Sequence, residues 1–408
     1  IGLILIPFLD VLVKTDSQIP NLTLYFILFL ANTSFSYFFA YKSSIINADQ
    51  KMYLVKLYTL IFNIIQTILQ IIILLLTHNY ILYLILQLLG TLGTNIYIAY
   101  KANRMYPFIK KNEELRKKEK FVLFQNVKSM FIFKFSNVIL NSTPNIVISA
   151  MIGTIWVGYY SNYNMITNCI NTAISIIFNA VTASVGNLHT ENNRDKQVNV
   201  FSLLNFMAFV LFSIFSVGLI VLSKDVIELW IGKEYILNNS IVIAIVISFY
   251  INGMLNPMWV FRDTTGLFRD VKYISIFTAI LNIILSILLG LKLGLLGILI
   301  ATPIAKLLTI FWYQPYMLYK KIFQRSSRRY FTMQFKFLIV LLLMIFVSET
   351  IINQIHGVSM LNFIIKGILM VAICSIIIII AFYKDESFKN AIDYVKKLLG
   401  KLKNKIKV

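Results

Sequence analysis

Residues 359–383 read SMLNFIIKGILMVAICSIIIIIAFY, and this stretch decides the fold class. A single charged residue, Lys366, interrupts an otherwise apolar block. A helix needs about 20 such residues to cross the roughly 30 Å hydrocarbon core of a bilayer. A membrane-spanning strand would alternate polar and apolar residues over about ten positions, whereas this block contains the run Ile376–Ile380. The stretch therefore predicts a transmembrane helix.

The rest of the 408-residue chain has the same character. Hydrophobic residues make up 58% of it and charged residues 13%, against about 45–50% and about 25% in soluble domains. Apolar runs recur at roughly 1–13, 21–43, 57–77, 79–101, 126–151, 154–186, 200–222, 236–258, 271–291, 294–315, 333–353 and 359–383. We therefore expect an all-α polytopic membrane protein with about twelve spans.

Several function classes are excluded by what the sequence lacks. The two cysteines and three histidines lie too far apart for a metal motif, and no GxxxxGK[ST] phosphate loop occurs. A net charge of +21 would suggest nucleic acid in a soluble protein, but here the charges follow the membrane topology. We expect no nucleic-acid partner, no cofactor and no enzymatic activity.

The distribution of Lys and Arg predicts the orientation. Twenty-nine lie in one set of alternate connections and four in the other, and the cytoplasmic side carries the excess in membrane proteins. The C-terminus is therefore expected in the cytoplasm. In the tail, 384–408, apolar residues recur at helical spacing among lysines, which predicts an amphipathic helix lying on anionic lipids. A merely solvated tail is the alternative.

An internal repeat predicts the domain organisation. Residues 57–69 and 276–288 share seven identities in thirteen positions, including a mid-span asparagine, Asn63 and Asn282. Transporters are often built from such repeats, although an Ile-rich coincidence remains an alternative. The repeat predicts the last four helices of a first lobe in 1–101, whose first two helices would precede Ile1, a basic linker in 102–123, a six-helix lobe in 124–316, two further helices in 317–383 and the tail in 384–408.

Two predicted helices carry polar stripes. The candidate binding residues on the first are Lys134, Asn137, Asn141 and Asn145, and those on the second are Asn164, Asn168, Thr172, Ser175 and Asn179. Spacings of three and four place each set on one helix face. Polar groups in hydrocarbon mark a cavity or a helix contact. We expect a wet or ligand-filled interior, and hydrogen bonding between the two helices is the alternative.

Two lysines give this interior a positive charge. Lys134 lies roughly 10 Å into its span at about 1.5 Å per residue, from where it could also reach the interface. Lys306 lies deeper, in a stripe with Thr302 and Thr309. Acids inside the predicted spans are essentially Asp10 and Glu349. An excess of buried cations over buried anions favours an anionic ligand, such as a phosphate, over a cationic drug.

Four motifs carry a resemblance to a known family. Residues 261–268, FRDTTGLF, look like the FRDTxGLF signature of bacterial polysaccharide flippases, with Arg262 and Asp263 as its charged pair. The block 139–187 is similar to their seventh and eighth helices, and residues 228–232 and 47–51 fit as well. The chain thus resembles Wzx-type flippases of the MOP superfamily, which have two six-helix lobes plus two helices.

The resemblance implies a flippase of the bacterial plasma membrane. It would move undecaprenyl-diphosphate-linked oligosaccharide by alternating access for capsule, O-antigen or exopolysaccharide export, alongside polymerase and assembly proteins. The family often has acids where this chain has Pro144 and Gln314, which leaves coupling to H⁺ or Na⁺ open. A cation-coupled multidrug exporter of the same fold and a membrane polymerase or ligase are the alternatives.

Overall fold

The structure, a computed structural model, describes residues 2–9, 13, 21–49, 51–110, 116–190 and 193–393. These residues are almost entirely helical, and none of them lies in a strand. The chain divides into two compact units, Ile1–Val122 and Leu123–Val408. The division into lobes that the repeat implies stays a prediction.

The first unit contains four α-helices after a short 3₁₀ helix, Gly2–Phe8. They are α1 (Leu22–Tyr37), α2 (Ala40–Ala48), α3 (Met52–Thr77) and α4 (Tyr80–Met105). Asn79 separates α3 from α4 and caps the latter, because its side-chain oxygen accepts the backbone N–H of Ile81 at 2.9 Å. Gln70, buried between the two helices, donates to the Tyr83 carbonyl at 3.2 Å.

The second unit contains ten α-helices. They are α5 (Lys117–Met151, which begins shortly before the unit), α6 (Thr154–Thr190), α7 (Arg194–Trp230), α8 (Asn239–Met254), α9 (Asn256–Thr265), α10 (Phe268–Leu293), α11 (Leu295–Leu308), α12 (Ile310–Leu318), α13 (Arg328–Ile352) and α14 (Met360–Phe382). A single π-helical turn, Tyr319–Phe323, follows α12.

Nine helical segments of the described residues are long and apolar enough to cross a membrane, or ten if the bent pair α1–α2 is one span. The sequence predicted twelve. In the segment 1–13, residues 2–9 and 13 are described, and Gly2–Phe8 form only a short 3₁₀ helix. Helix α5 covers the predicted 126–151 and is 35 residues long, but it is not among the nine because lysines and amides lower its hydropathy.

Two spans of the second unit each contain a one-residue interruption of the helix, after Met254 and after Leu308. Pro257 lacks a backbone N–H, so it can open α9 but cannot continue α8 as a regular helix. The second break falls at Thr309, between α11 and α12. In transporters, broken helices often supply binding sites because their interrupted backbone lines a cavity.

Close packing positions these broken helices. A Cβ on Gly253 of α8 would lie 2.1 Å from the Phe212 ring of α7. The turn between α10 and α11 is made by Gly294 with φ +59°, a conformation that glycine adopts without steric cost. A Cβ on Gly297 would lie 2.0 Å from the Leu289 carbonyl oxygen, so the α10 and α11 backbones touch.

An aromatic core joins α7 to the last two helices. The rings of Phe209 and Phe337 stack with centroids 4.2 Å apart, and Phe382 packs against both. All three side chains are fully buried. Since lipid is about as apolar as phenylalanine, this cluster is stabilised by dense packing rather than by escape from water.

Candidate functional site

The polar stripe on α6 opens onto a cavity of about 490 Å³ within the second unit. Its polar lining comes from five helices: Asn141 on α5; Tyr160, Asn164, Thr167, Asn168, Asn171 and Ser175 on α6; Ser248 and Asn252 on α8; Asn256 and Trp259 on α9; Thr302 and Lys306 on α11. No Asp or Glu is among these described lining residues. The cavity is therefore rich in amides and hydroxyls, and Lys306 supplies its positive charge.

Lys306 is held deep in the wall. The residue is 6% exposed, and its ammonium donates to the side-chain oxygen of Asn252 at 2.9 Å. One amide oxygen does not neutralise an ammonium, which can donate three hydrogen bonds. Among the described residues Lys306 has no acidic partner. The cation is thus available to an anionic group that enters the cavity.

The wall behind Lys306 is fixed by hydrogen bonds between α10 and α11. Thr302 donates to the side-chain oxygen of Asn282 at 3.1 Å, and the hydroxyls of Thr278 and Thr309 are 2.7 Å apart. All four residues are buried. Asn282 therefore orients Thr302, which lines the cavity, without lining it itself. By contrast, its repeat counterpart Asn63 is exposed on α3.

Five of the predicted site residues meet at this cavity. They are Asn141, Asn164, Asn168, Ser175 and Lys306. Three of them, Asn164, Asn168 and Ser175, lie on α6, where residues three, four and seven apart share a face. Their binding role stays a prediction.

Five others are not among the residues that line it: Lys134, Asn137, Asn145, Thr172 and Asn179. Asn137 donates to the Phe133 carbonyl of its own helix at 2.9 Å, and Thr172 to the Asn168 carbonyl at 2.8 Å. Lys134 and Asn179 are exposed. Asn145 has a buried side-chain oxygen without a hydrogen bond from the described residues. The binding roles of these five residues stay predictions.

Sequence reasoning missed the contribution of α8 and α9. Asn252 holds Lys306, and Asn256 and Trp259 line the cavity beside it. The signal was present in residues 252–257, NGMLNP, where Asn-Gly and Asn-Pro interrupt an apolar run. Such an interruption within a span points to a binding site.

Arg262 and Asp263 of the FRDT motif form a pair at the end of α9. The Arg262 side chain donates through Nε to Asp263 at 2.8 Å, and its guanidinium carbon lies 4.3 Å from the ring centre of Phe133 and 5.3 Å from that of Phe268. Stacking of this kind stabilises a buried cation. Arg262 therefore holds α9 against α5 and α10, and neither motif residue lines the cavity.

Helix α7 carries a buried acid that lies beyond the span predicted from the sequence. Asp225 accepts a hydrogen bond from Lys366 at 2.7 Å, and both side chains are buried. The sequence placed the end of this span at 222, whereas α7 continues to Trp230. Of the two acids named earlier, Asp10 lies outside the described residues and Glu349 is exposed. The predicted cation excess is therefore smaller, but Lys306 remains part of it.

The 47–51 motif of the first unit has a local role. Asp49 accepts the Tyr106 hydroxyl at 2.7 Å and pairs with Lys51 at 2.8 Å. The hydrogen bonds from Lys51 and Tyr106 lower the pKa of Asp49 from its usual 3.8 and raise the pKa of both partners. This group joins the turn between α2 and α3 to the end of α4. Gln50 lies outside the described residues.

The donor set of the cavity suits a polar organic ligand better than a metal. No group of three or more His, Cys, Asp or Glu in the described part of the chain could hold a metal ion. Amides and hydroxyls both donate and accept hydrogen bonds, so the lining can satisfy a hydroxyl-rich molecule. The ammonium of Lys306 adds a site for one acidic group.

Comparisons with known proteins agree with this description. The family model for polysaccharide biosynthesis proteins matches residues 17–238, more than half of the chain. Among solved structures, the chain is similar to the lipid II flippase MurJ in its inward closed conformation. The TM-score is 0.61 and the sequence identity 20%, over 93% of this chain and 80% of that chain. No curated protein matches the chain. The prediction of an all-α polytopic membrane fold is confirmed.

Proposed function

Because this chain belongs to the family of polysaccharide biosynthesis proteins, we propose that it is a flippase for a lipid-linked saccharide precursor. Its fold is similar to that of a flippase whose cargo is lipid II. Both the family and the fold therefore support transport of a lipid-linked precursor rather than its chemical conversion. The resemblance of the sequence motifs favours an undecaprenyl-diphosphate-linked oligosaccharide for capsule, O-antigen or exopolysaccharide.

The observation that carries the proposal is the cavity around Lys306. A cavity whose lining is amides, hydroxyls and one unneutralised cation, within a membrane-spanning unit, matches a saccharide headgroup with an acidic part. Sugar hydroxyls would bond to Asn164, Asn168 and Asn252. The polyprenyl chain would remain in the bilayer. A cationic drug would be repelled by Lys306, which disfavours the multidrug exporter.

Lys134 is the second residue we assign to the headgroup. It is exposed on α5 and has no ion-pair or hydrogen-bond partner among the described residues. We propose that it contacts the lipid diphosphate while Lys306 and the amides contact the saccharide. Experiments can separate the two roles, because contact with the saccharide involves the cavity and contact with the diphosphate does not.

The charge distribution orients the transport. With 29 Lys and Arg on one set of connections and four on the other, the C-terminus lies on the cytoplasmic face of the plasma membrane. The precursor would enter from that face and leave on the other by alternating access. The saccharide would then pass to a polymerase and assembly proteins on the outer side.

A reconstitution assay tests the proposal. The purified protein is placed in liposomes that contain a fluorescent undecaprenyl-diphosphate-linked disaccharide with one acidic sugar, and an impermeant quencher is added outside. A flippase moves the labelled lipid from the inner to the outer leaflet, so the fraction of fluorescence that the quencher removes increases with time. Protein-free liposomes, and liposomes with Lys306→Gln protein of unchanged melting temperature, provide the two controls.

The same vesicles distinguish the alternatives. A polymerase or ligase would change the length of the recovered saccharide, whereas a flippase returns it unchanged. A cation-coupled exporter would accumulate ethidium when a proton gradient is imposed. If inner-leaflet quenching is no faster with the protein than without it, the flippase assignment is wrong.

A further inference from the structure

A second cavity, of about 510 Å³, lies where α7 and α13 begin. Its polar lining comprises Asn199, Ser202 and Asn205 on α7; Tyr319, Arg325 and Ser326 before α13; Arg329, Tyr330, Thr332 and Lys336 on α13; and Asp385, Glu386, Ser387 and Asn390 after α14. It shares no residue with the cavity around Lys306. The function proposed above does not use it.

The cavity contains charges of both signs. Lys336 pairs with Asp385 at 2.7 Å, and Arg325 pairs with Asp195. These two pairs leave Arg329 and Glu386, which have no ion pair or hydrogen bond with any described residue. A ligand with one anionic and one cationic group would complement both of these side chains.

A buried hydroxyl also lacks a partner. Tyr330 is 3% exposed, lines the cavity, and its oxygen makes no hydrogen bond with the described residues. Leaving a buried polar group unpaired costs about 1–3 kcal/mol. Nearby, Gln334 donates to Asn205 at 2.9 Å, which engages one polar atom of each amide. The Tyr330 hydroxyl lies beside Gln334 and can turn its hydrogen toward a ligand atom.

The depth of the cavity matches the headgroup region of a bilayer. Most of its charged residues lie at or beyond the ends of α13 and α14, and Lys336 lies about two turns into α13. Trp312, exposed on α12, stacks on Phe331 with ring centroids 4.6 Å apart, and Tyr383 is exposed at the end of α14. Exposed Trp and Tyr are typical of the membrane–water interface.

We propose that this cavity binds the headgroup of a membrane lipid that carries both a phosphate and a primary ammonium, such as phosphatidylethanolamine. Arg329 and the Tyr330 hydroxyl donate to the phosphate, and Glu386 accepts from the ammonium. A purely anionic headgroup has no cation for Glu386 and would leave this carboxylate unpaired. A quaternary ammonium has no N–H to donate, so a choline headgroup would lose the contact with Glu386.

Native mass spectrometry of the full-length protein in detergent tests this assignment. The protein is incubated with equimolar phosphatidylethanolamine, phosphatidylglycerol and phosphatidylcholine of identical acyl chains, and the retained lipid is measured. We expect the ethanolamine lipid to be retained at least about tenfold over the other two, because each charge-assisted hydrogen bond lost lowers affinity by about that factor or more. Equal retention of the three lipids, or preference for phosphatidylglycerol, would overturn the proposal.

Matched variants locate the site. Arg329→Gln and Glu386→Gln should each abolish the preference, whereas Arg328→Gln and Glu349→Gln, both exposed and outside the cavity, should retain it. All four side chains are exposed, so unchanged melting temperatures are expected. If Arg329→Gln and Glu386→Gln both retain the preference, the lipid binds elsewhere.

Soluble O-phosphoethanolamine separates a lipid site from a site for a free metabolite. The lipid assignment requires that it displaces phosphatidylethanolamine only at a large molar excess. Displacement at equimolar concentration would assign the cavity to a soluble ligand and overturn the lipid assignment. None of these readouts depends on saccharide transport, so a failure here is distinct from a failure of the flippase proposal.

Discussion

The ammonium of Lys366 lies 2.7 Å from a carboxylate oxygen of Asp225, with side chains that are only 10% and 7% exposed. The pair joins α14 to α7 inside the membrane-spanning unit. Desolvating two charges costs several kcal/mol per ion, and their attraction offsets that cost only while both are present. The pair therefore fixes the position of α14 more than it adds net stability.

Removing one partner should destabilise the protein. Lys366→Met leaves Asp225 charged and buried, and loss of one partner of a buried pair costs about 3–5 kcal/mol. We expect a clearly lower melting temperature in detergent. Lys224→Met removes an exposed charge next to Asp225 and should leave the melting temperature nearly unchanged.

The double variant provides the decisive comparison. Asp225→Leu combined with Lys366→Met removes both charges, and apolar replacements of buried pairs are often neutral or stabilising. Its melting temperature should return to the parent value or exceed it. If the double variant is as unstable as the two single variants combined, the pair does not act as a unit.

Asp225 also shows where sequence reasoning about the fold fails. Apolar runs located the helices, since each span needs about 20 apolar residues. The apolar run 200–222 ends just before Lys224 and Asp225, so the sequence predicts the end of the span there, whereas α7 continues to Trp230. The partner, Lys366, lies 141 residues away in sequence. No local pattern contains that contact.

Replacing Lys306 should impair transport. Lys306→Gln retains hydrogen bonding but removes the charge, and a hydrogen bond to a charged group contributes about 1.5–3 kcal/mol. Binding of an acidic lipid-linked saccharide should weaken by roughly 10- to 150-fold, measured as the concentration dependence of the liposome assay. The melting temperature should not fall, because a buried cation costs desolvation energy.

Lys134→Gln is the informative companion. If Lys134 contacts the diphosphate, its loss should weaken binding of every lipid-diphosphate cargo, whatever its sugar. The Lys306→Gln substitution should instead weaken binding only of cargo whose saccharide is acidic. Equal transport by both variants and the parent protein would contradict both assignments. Lys128→Gln, an exposed lysine on the same helix outside the cavity, should behave as the parent protein.

Five of the ten predicted site residues line the cavity, and each was predicted from the spacing within a single helix. The stripe on α6 was visible because helical periodicity lies within one segment. The hydrogen bond from Lys306 to Asn252 joins residues 54 positions apart, and the hydrogen bond from Thr302 to Asn282 joins two helices. Those contacts depend on which helices pack together, which periodicity does not specify.

Cysteine labelling checks the orientation. In a background with Cys169 and Cys374 replaced by serine, a cysteine at His356 should react with an impermeant thiol reagent on intact cells. A cysteine at Arg328 should not react until the cells are opened. Both positions are exposed and lie at opposite ends of α13. The reverse pattern would invert the topology inferred from the positive-inside count.

Gly297→Ala should distort the wall of the Lys306 cavity. An added Cβ would lie 2.0 Å from the Leu289 carbonyl oxygen, and backbone cannot move aside as a flexible side chain can. Overpacking typically costs about 1–3 kcal/mol. Separating α11 from α10 would also lengthen the Thr302–Asn282 hydrogen bond. We therefore expect a lower melting temperature together with weaker transport.

Gly158→Ala is the matched control, because nothing lies within 4 Å of a Cβ at that position on α6. Alanine is favoured over glycine in a helix by roughly 0.5–1 kcal/mol, so this variant should be as stable as the parent protein or more so. Small residues allow membrane helices to approach closely, since packing and hydrogen bonds hold them together there. If Gly297→Ala has the same melting temperature and transport rate as Gly158→Ala, the α10–α11 contact does not support the cavity wall. Thr302 would then be positioned by α11 alone.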